Sequence, residues 1–498
     1  MNKKFFYIFF IVLISSYSIN AQTYSDRTFL TPRKQNQNLP MMHTTWHELQ
    51  ESFNENHVGG SLQATAFYQK SDNQKDLAKY FGCYNYRISE FQDFFAVSYA
   101  AFSDDTYHFA PCDIFHSPDV SGQKLADKII LRPSQESMGI HLGYHQDLNK
   151  LIDGLFLKID APIVYIKNSL GYTSTGGSVS QSAFSWGTYS FSGPEYSVLE
   201  FLTGTATSTN QSALTKGKWH NGNSKTRIAD IDIAIGYNFL YEDYGYINAS
   251  IGCTIPTGNK PKADYIWESV VGNGGHFGLY GNFDSSLQLY KHDRKTIDLI
   301  FGFDFKYLFK GTEKRIPGFK ESNLDPSYPN ITLWGLYDAS GETGKTGVFP
   351  AANVLAQKVD VEPGYIFDGM FEFAIGWKRL LCELGYNLFL KKEESVSIKS
   401  WNNDKYGTVG YNHNPDINFD ATTISLDQCY KNIQSDDLLI YSITTPKVTT
   451  HKLFGNVGWV FNELKNPTMI GFGASYEYPK DNNALRQWAL WLKGGFNF

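Results

Sequence analysis

Taken two residues at a time, most of this chain splits into an apolar series and a polar or small one. Residues 487–498 read QWALWLKGGFNF, with Trp488, Leu490, Leu492, Gly494, Phe496 and Phe498 in one series and Ala489, Trp491, Lys493, Gly495 and Asn497 in the other. A period of two with unlike faces is a β-strand between two different solvents. The same alternation starts near Leu62, Met138, Leu155, Ile231, Ile247, Phe277, Ile297, Phe371, Cys382, Leu453 and Ile470. The fullest example sets Ile297, Leu299, Phe301, Phe303, Phe305, Tyr307 and Phe309 against a face that holds Asp298, Asp304 and Lys306. That apolar face exceeds what a small soluble sandwich buries, and lipid would reject the charges opposite it.

The connections alternate in length. Short ones fall near residues 146–154, 241–244, 291–295, 378–380 and 462–467. Long ones fall near 70–135, 167–227, 256–275, 310–365 and 392–448, and a shorter one near 479–486. Five tight hairpins, a first strand near residue 61 and the terminal strand predict an all-β fold. It is a transmembrane, antiparallel, up-and-down β-barrel of about twelve strands, with short periplasmic turns and long extracellular loops. A further pair within residues 94–102 would raise the count to about fourteen. Closure satisfies every backbone group, as lipid requires.

On this reading the polar series lines the interior. The lining residues singled out are Asp230, Asp232, Asp284, Asp298, Asp304, Lys306, Glu372, Glu383 and Lys391. Two outcomes compete for them: a hydrated, mixed-charge pore, or opposite charges that pair across a narrow lumen and seal it. A twelve-stranded barrel is narrower than the 16–18-stranded porins.

Composition agrees with a membrane barrel. Aromatic residues reach 16%, charged residues only 19% and mean hydropathy is −0.34. Beyond the N-terminus no apolar run is long enough for a spanning helix. Residues 1–21 read as a signal peptide: Lys3 and Lys4, an apolar core, and a small residue at Ala21. Its removal takes net charge from −6 to about −8, which argues against a nucleic-acid partner. Residues 22–60 form a polar N-terminal periplasmic or plug-like segment, and 61–498 the barrel.

A terminal strand that stops on an aromatic residue resembles the closing strand of bacterial outer-membrane β-barrels. The resemblance implies a Gram-negative cell outer membrane, lipid and lipopolysaccharide around the barrel, and barrel-assembly machinery that reads Phe498. At Ile255 the chain reads IPTGNKP, which resembles outer-membrane transporters associated with phenol-degradation pathways.

Candidate chemistry is sparse. His43 and His47 in HTTWHEL sit four apart, a spacing that can present two metal ligands, but Thr44 stands where zinc proteases carry Glu. The blander reading is an ordered arm in the barrel mouth. His141 and His145 share an inward face. His116 and Ser117 are adjacent and so point apart in a strand. The run at 341–346, GETGKT, lacks phosphate-loop spacing. Cys83 and Cys112 share a long loop and are a candidate disulfide. No catalytic residue, cofactor or metal is assigned. The function expected is a channel or transporter for small solutes through the lumen; the alternative is a ligand-binding or adhesion barrel acting through loops such as 174–196.

Overall fold

The computed structural model describes residues 22–47 apart from 25, 26 and 36, and residues 59–498 apart from 82–105, 110–126, 175–183, 187–188, 192–197, 206–212, 243, 320–334, 339–347, 404–405 and 410–429. The signal-peptide reading, the strand pair at 94–102, the proposed disulfide, His116, Ser117, the 341–346 run and most of the 174–196 loop lie outside these residues.

Twelve antiparallel strands close into one barrel. They are β1 Gly60–Ser71, β2 Ser134–Asp147, β3 Leu155–Ser169, β4 Ile231–Glu242, β5 Gly245–Ile255 and β6 Gly278–His292. The second half is β7 Lys295–Leu308, β8 Gly364–Trp377, β9 Leu380–Lys391, β10 Val448–Phe461, β11 Thr468–Pro479 and β12 Gln487–Asn497. Each strand pairs with its neighbours in sequence, and β12 pairs with β1 over Ser61↔Asn497 to Ser71↔Gln487. At the seam Gly60 and Phe498 exchange both backbone hydrogen bonds at 3.0 Å. A closed ladder leaves no strand edge, the condition for crossing lipid without a stranded peptide group.

The period of two sorts the side chains as the sequence predicts. Ile140, Leu142, Ile235, Ile251, Leu279, Phe303, Phe373, Leu384, Phe472 and Leu492 are exposed on the outside. Gln63, Thr65, His141, Lys158, Asp304, Asn387, Lys452 and Lys493 are buried inside. A soluble protein inverts this order, so the outer surface fits lipid. Tyr68, Tyr307 and Tyr476 sit near the long-loop end, and their hydroxyls donate to Glu136 (2.8 Å), Glu362 (2.9 Å) and Asp72 (3.1 Å). Amphipathic rings at that level are what a membrane–water boundary favours.

The tight hairpins and the Gly60–Phe498 seam lie at one end; the long connections lie at the other. The long connections are not plain loops. Asn223–Ile228 extends the sheet along β3, and Gly311–Arg315, Gln357–Glu362 and Ser395–Ile398 form a three-stranded sheet above the barrel.

The N-terminal segment decides what the lumen is. Gln22 and Tyr24 are anchored at the long-loop end, their backbone N–H groups donating to Asp481 and Asn482 at 2.7 Å. From there the chain descends inside the barrel. A short helix, α1 (Leu39–His43), is buried along its whole length. Trp46, near the tight-turn end, donates its indole N–H to Ser61 Oγ at 3.2 Å. Residues 22–47 thus thread the lumen from its outer end almost to its inner one.

Candidate functional site

The site is the contact between this segment and the inner wall. Arg33 is its centre. Its guanidinium donates to Asp368 (2.7 Å), Glu477 (3.1 Å) and Asn387 (2.9 Å) on three strands and to the Gln37 carbonyl (2.6 Å) on its own segment. The plane lies 4.7 Å over the Phe389 ring. All of these groups are buried. Arginine suits the place because its rigid fork meets several acceptors at once without losing its charge. Lower down, Lys452 donates to Asn38 Oδ1 (2.9 Å) and Gln63 to the Met42 carbonyl (3.1 Å).

A second network closes the outer end. Arg315 pairs with Glu313 (2.8 Å) and Glu394 (2.7 Å), donates to the Ile443 carbonyl (2.6 Å) and lies 3.7 Å over the Phe29 ring. Thr31 donates to Glu394 at 2.9 Å. Burial pushes the Glu394 carboxyl up, but Arg315 and Lys391 outweigh it and hold it well below the usual range. Beside Lys34 and Gln37 a small recess, open in part to solvent, is lined by His276, Glu313, Lys391 and Glu394. Burial, with Lys391 nearby, lowers the Lys34 ammonium to about 8 against the opposing pull of Glu313 and Asp230.

Two glycines of the wall make room for the segment. A Cβ at Gly458 would stand 2.5 Å from Thr45 Oγ1, and one at Gly143 would stand 2.7 Å from the Trp46 ring. Thr45 has φ 62°, a left-handed conformation that a β-branched residue rarely adopts. Glu383 holds it there, accepting from Thr45 N (2.6 Å) and Oγ1 (3.0 Å) while Asn456 donates to the same carboxylate at 2.6 Å.

The nine residues singled out from the sequence fall as follows. Asp232, Asp284, Asp304, Lys306, Glu372, Glu383 and Lys391 are buried on the inner face of strands. Asp232 accepts from Lys306 and from Thr254 Oγ1 (2.5 Å). Asp304 accepts from Tyr280 (3.1 Å) and Asn282 (2.9 Å), and Lys391 pairs with Glu394 at 3.2 Å. Asp230 is buried but precedes β4. It receives the backbone N–H of Asn273 (2.5 Å) and Gly258 (3.4 Å), and burial raises its carboxyl to about 6. Asp298 is only half-buried, because it lies near the Asp293–Arg294 turn where the lumen opens. His141 and His145 point inward and are buried; His141 Nε2 is 3.6 Å from Asp160, and the His145 ring lies against Phe156.

The partners of Arg33 escape a reading of the sequence for different reasons. Asp368 and Glu477 continue the alternation of their strands, two residues before Met370 and one after Tyr476, so extending the period would find them. Arg33 sits in a segment with no period, and its place inside a barrel leaves no local signal.

Comparison with known proteins gives low likeness throughout. No family model and no curated protein matches the chain. Among solved structures, an outer-membrane channel from Pseudomonas putida F1 is 11% identical with a TM-score of 0.35, over 90% of this chain and 98% of that one. The transport unit of the autotransporter AIDA-I from Escherichia coli is 8% identical with a TM-score of 0.32, over 94% and 99%. A Pseudomonas aeruginosa FadL homologue is 7% identical with a TM-score of 0.27, over 89% and 90%. Scores at this level assign neither a substrate nor an activity. What the geometry itself establishes is a closed twelve-stranded barrel of the outer-membrane type, its lumen filled from within.

Proposed function

We propose that the protein is a gated, non-enzymatic passage for small polar solutes across the outer membrane, closed by its own residues 22–47. The observation that carries this reading is how the segment is held. Its grip on the wall joins arginine, lysine and amide hydrogen bonds at Arg33, Asn38, Met42, Thr44 and Thr45 with small apolar contacts of Leu39, Met41 and Trp46. The polar contacts, which hold most of its length, can be exchanged for water or for a passing solute. The barrel's own ladder is continuous without the segment, so the wall can stand while the segment moves. A mixed-charge wall suits small hydrophilic solutes of either sign. The outer surface would contact lipid and lipopolysaccharide, and Phe498, exposed beside the seam, would be the group offered to assembly machinery.

Thr45 and Gly458 supply the test. A Cβ on Gly458 lies 3.2 Å from Thr45 Cβ, within a few tenths of an ångström of the roughly 3.5–4.5 Å that a disulfide spans. The double variant Thr45→Cys, Gly458→Cys should pass small sugars and amino acids into liposomes when reduced and lose that flux when oxidised. Equal flux in the two redox states would show that the segment does not gate the passage.

A further inference from the structure

One cluster on the segment–wall contact has chemistry that plugging alone does not require. His43 and His47, from the segment, face Glu372 on β8 and Glu383 on β9, and all four side chains are buried. His47 Nε2 lies 3.0 Å from Glu383 Oε1 and 3.8 Å from Glu372 Oε1. His43 Nδ1 lies 3.7 Å from the same Glu372 oxygen. One ligand atom each from His47, Glu372 and Glu383 falls within 4.8 Å of the others. Donor atoms about 2.0–2.2 Å from a common tetrahedral ion stand about 3.3–3.6 Å apart, a spacing that the 3.0–3.8 Å separations bracket.

Glu372 is the decisive residue. It is fully buried, and neither carboxylate oxygen has a hydrogen-bond partner. Leaving an anion so placed is costly. The nearby Lys493 spends hydrogen bonds on the carbonyl and hydroxyl of Thr44 instead. Glu383, by contrast, is fixed by Thr45 and Asn456, as an oriented ligand would be. On the far side of His43, Asp284 Oδ1 lies 3.6 Å from Nε2. The two imidazoles are nearly parallel, 17° apart with centroids at 5.5 Å.

We infer that His47, Glu372 and Glu383 bind a divalent first-row transition ion of the zinc class, with water completing its coordination. The ion latches the segment to the wall. Mixed imidazole and carboxylate donors favour zinc-like ions over calcium or magnesium, which take oxygen alone. An ion of charge +2 would offset both carboxylates and give Glu372 a partner. The inference rests on the seated position of residues 22–47, and it does not depend on solute passing.

The test is metal binding by the full chain, purified folded in detergent, with Zn²⁺ alone as the probe. Isothermal titration with elemental analysis after dialysis should find one zinc per barrel. Glu372→Gln and His47→Ala should each weaken it by more than the roughly 10–100-fold that loss of an outer partner costs. Heat-modifiable gel mobility reports folding of each variant, and Glu372→Gln keeps the shape of the side chain. Absence of stoichiometric zinc on a folded barrel, or equal affinity in Glu372→Gln and His47→Ala, would overturn the site. If no zinc binds while the reduced and oxidised forms of the cysteine pair still differ in flux, only the metal fails and the gate stands.

Discussion

Single residues set how firmly residues 22–47 are seated in the barrel. Arg33 is a cation buried among two carboxylates and an amide on three strands. Removing one partner of such a group leaves the others desolvated and unpaired, a loss of about 3–5 kcal/mol. Arg33→Ala should therefore loosen the segment and raise the resting conductance of the barrel in planar bilayers. A resting conductance equal to that of the natural chain would show that this cluster does not hold the gate. Lys34 works in the opposite sense. Burial lowers its ammonium from 10.5 to about 8, so the seated state disfavours the charged form. The penalty is full below pH 8, falls as the seated lysine loses its proton, and is gone above about 10.5, where the released lysine is neutral too. Resting conductance should fall between pH 8 and 10.5, and Lys34→Met should flatten that part of the profile when the two proteins are recorded side by side.

Among the elements, the strands were legible one by one, while residues 22–60 could be named only as a periplasmic or plug-like segment, without its path. Alternation such as Ile297 to Phe309 against Asp298 to Leu308 is dictated by lipid outside and polar groups inside, so each strand declares itself locally. Register follows, since a slip of one residue would turn every charge toward lipid. The upstream ends were harder. β8 begins at Gly364, six residues before the alternation is strong, because its outer half carries Asp368 for Arg33. The long connections hid their own small sheets, whose strands are too short to show a period. Residues 22–47 have neither period nor composition to mark them. The Thr45 turn forms because Glu383, more than three hundred residues away in sequence, holds it, and no local rule contains that. The HTTWHEL histidines were visible as a pair, but their carboxylate partners come from β8 and β9, and only the fold brings the four together.

At the scale of the molecule, the barrel and its N-terminal segment are two parts with separable roles. Twelve strands supply a wall complete in its own hydrogen bonds, apolar outside and charged within. The segment enters at the outer end, near Asp481, and exchanges hydrogen bonds with the wall down to Glu383. The charges that the sequence places in the lumen are therefore neither a bare pore lining nor a ladder that seals by itself. Some pair with each other, as Lys306 does with Asp232, and others hold the segment.

The most direct test of this division is single-channel conductance of the natural chain beside a variant that keeps residues 1–21 but lacks residues 22–47, each shown to be folded by heat-modifiable mobility. Small, brief steps are expected at rest for the natural chain and stable, larger steps for the shortened one. Equal steps in both, or none from a folded barrel without the segment, would contradict this division.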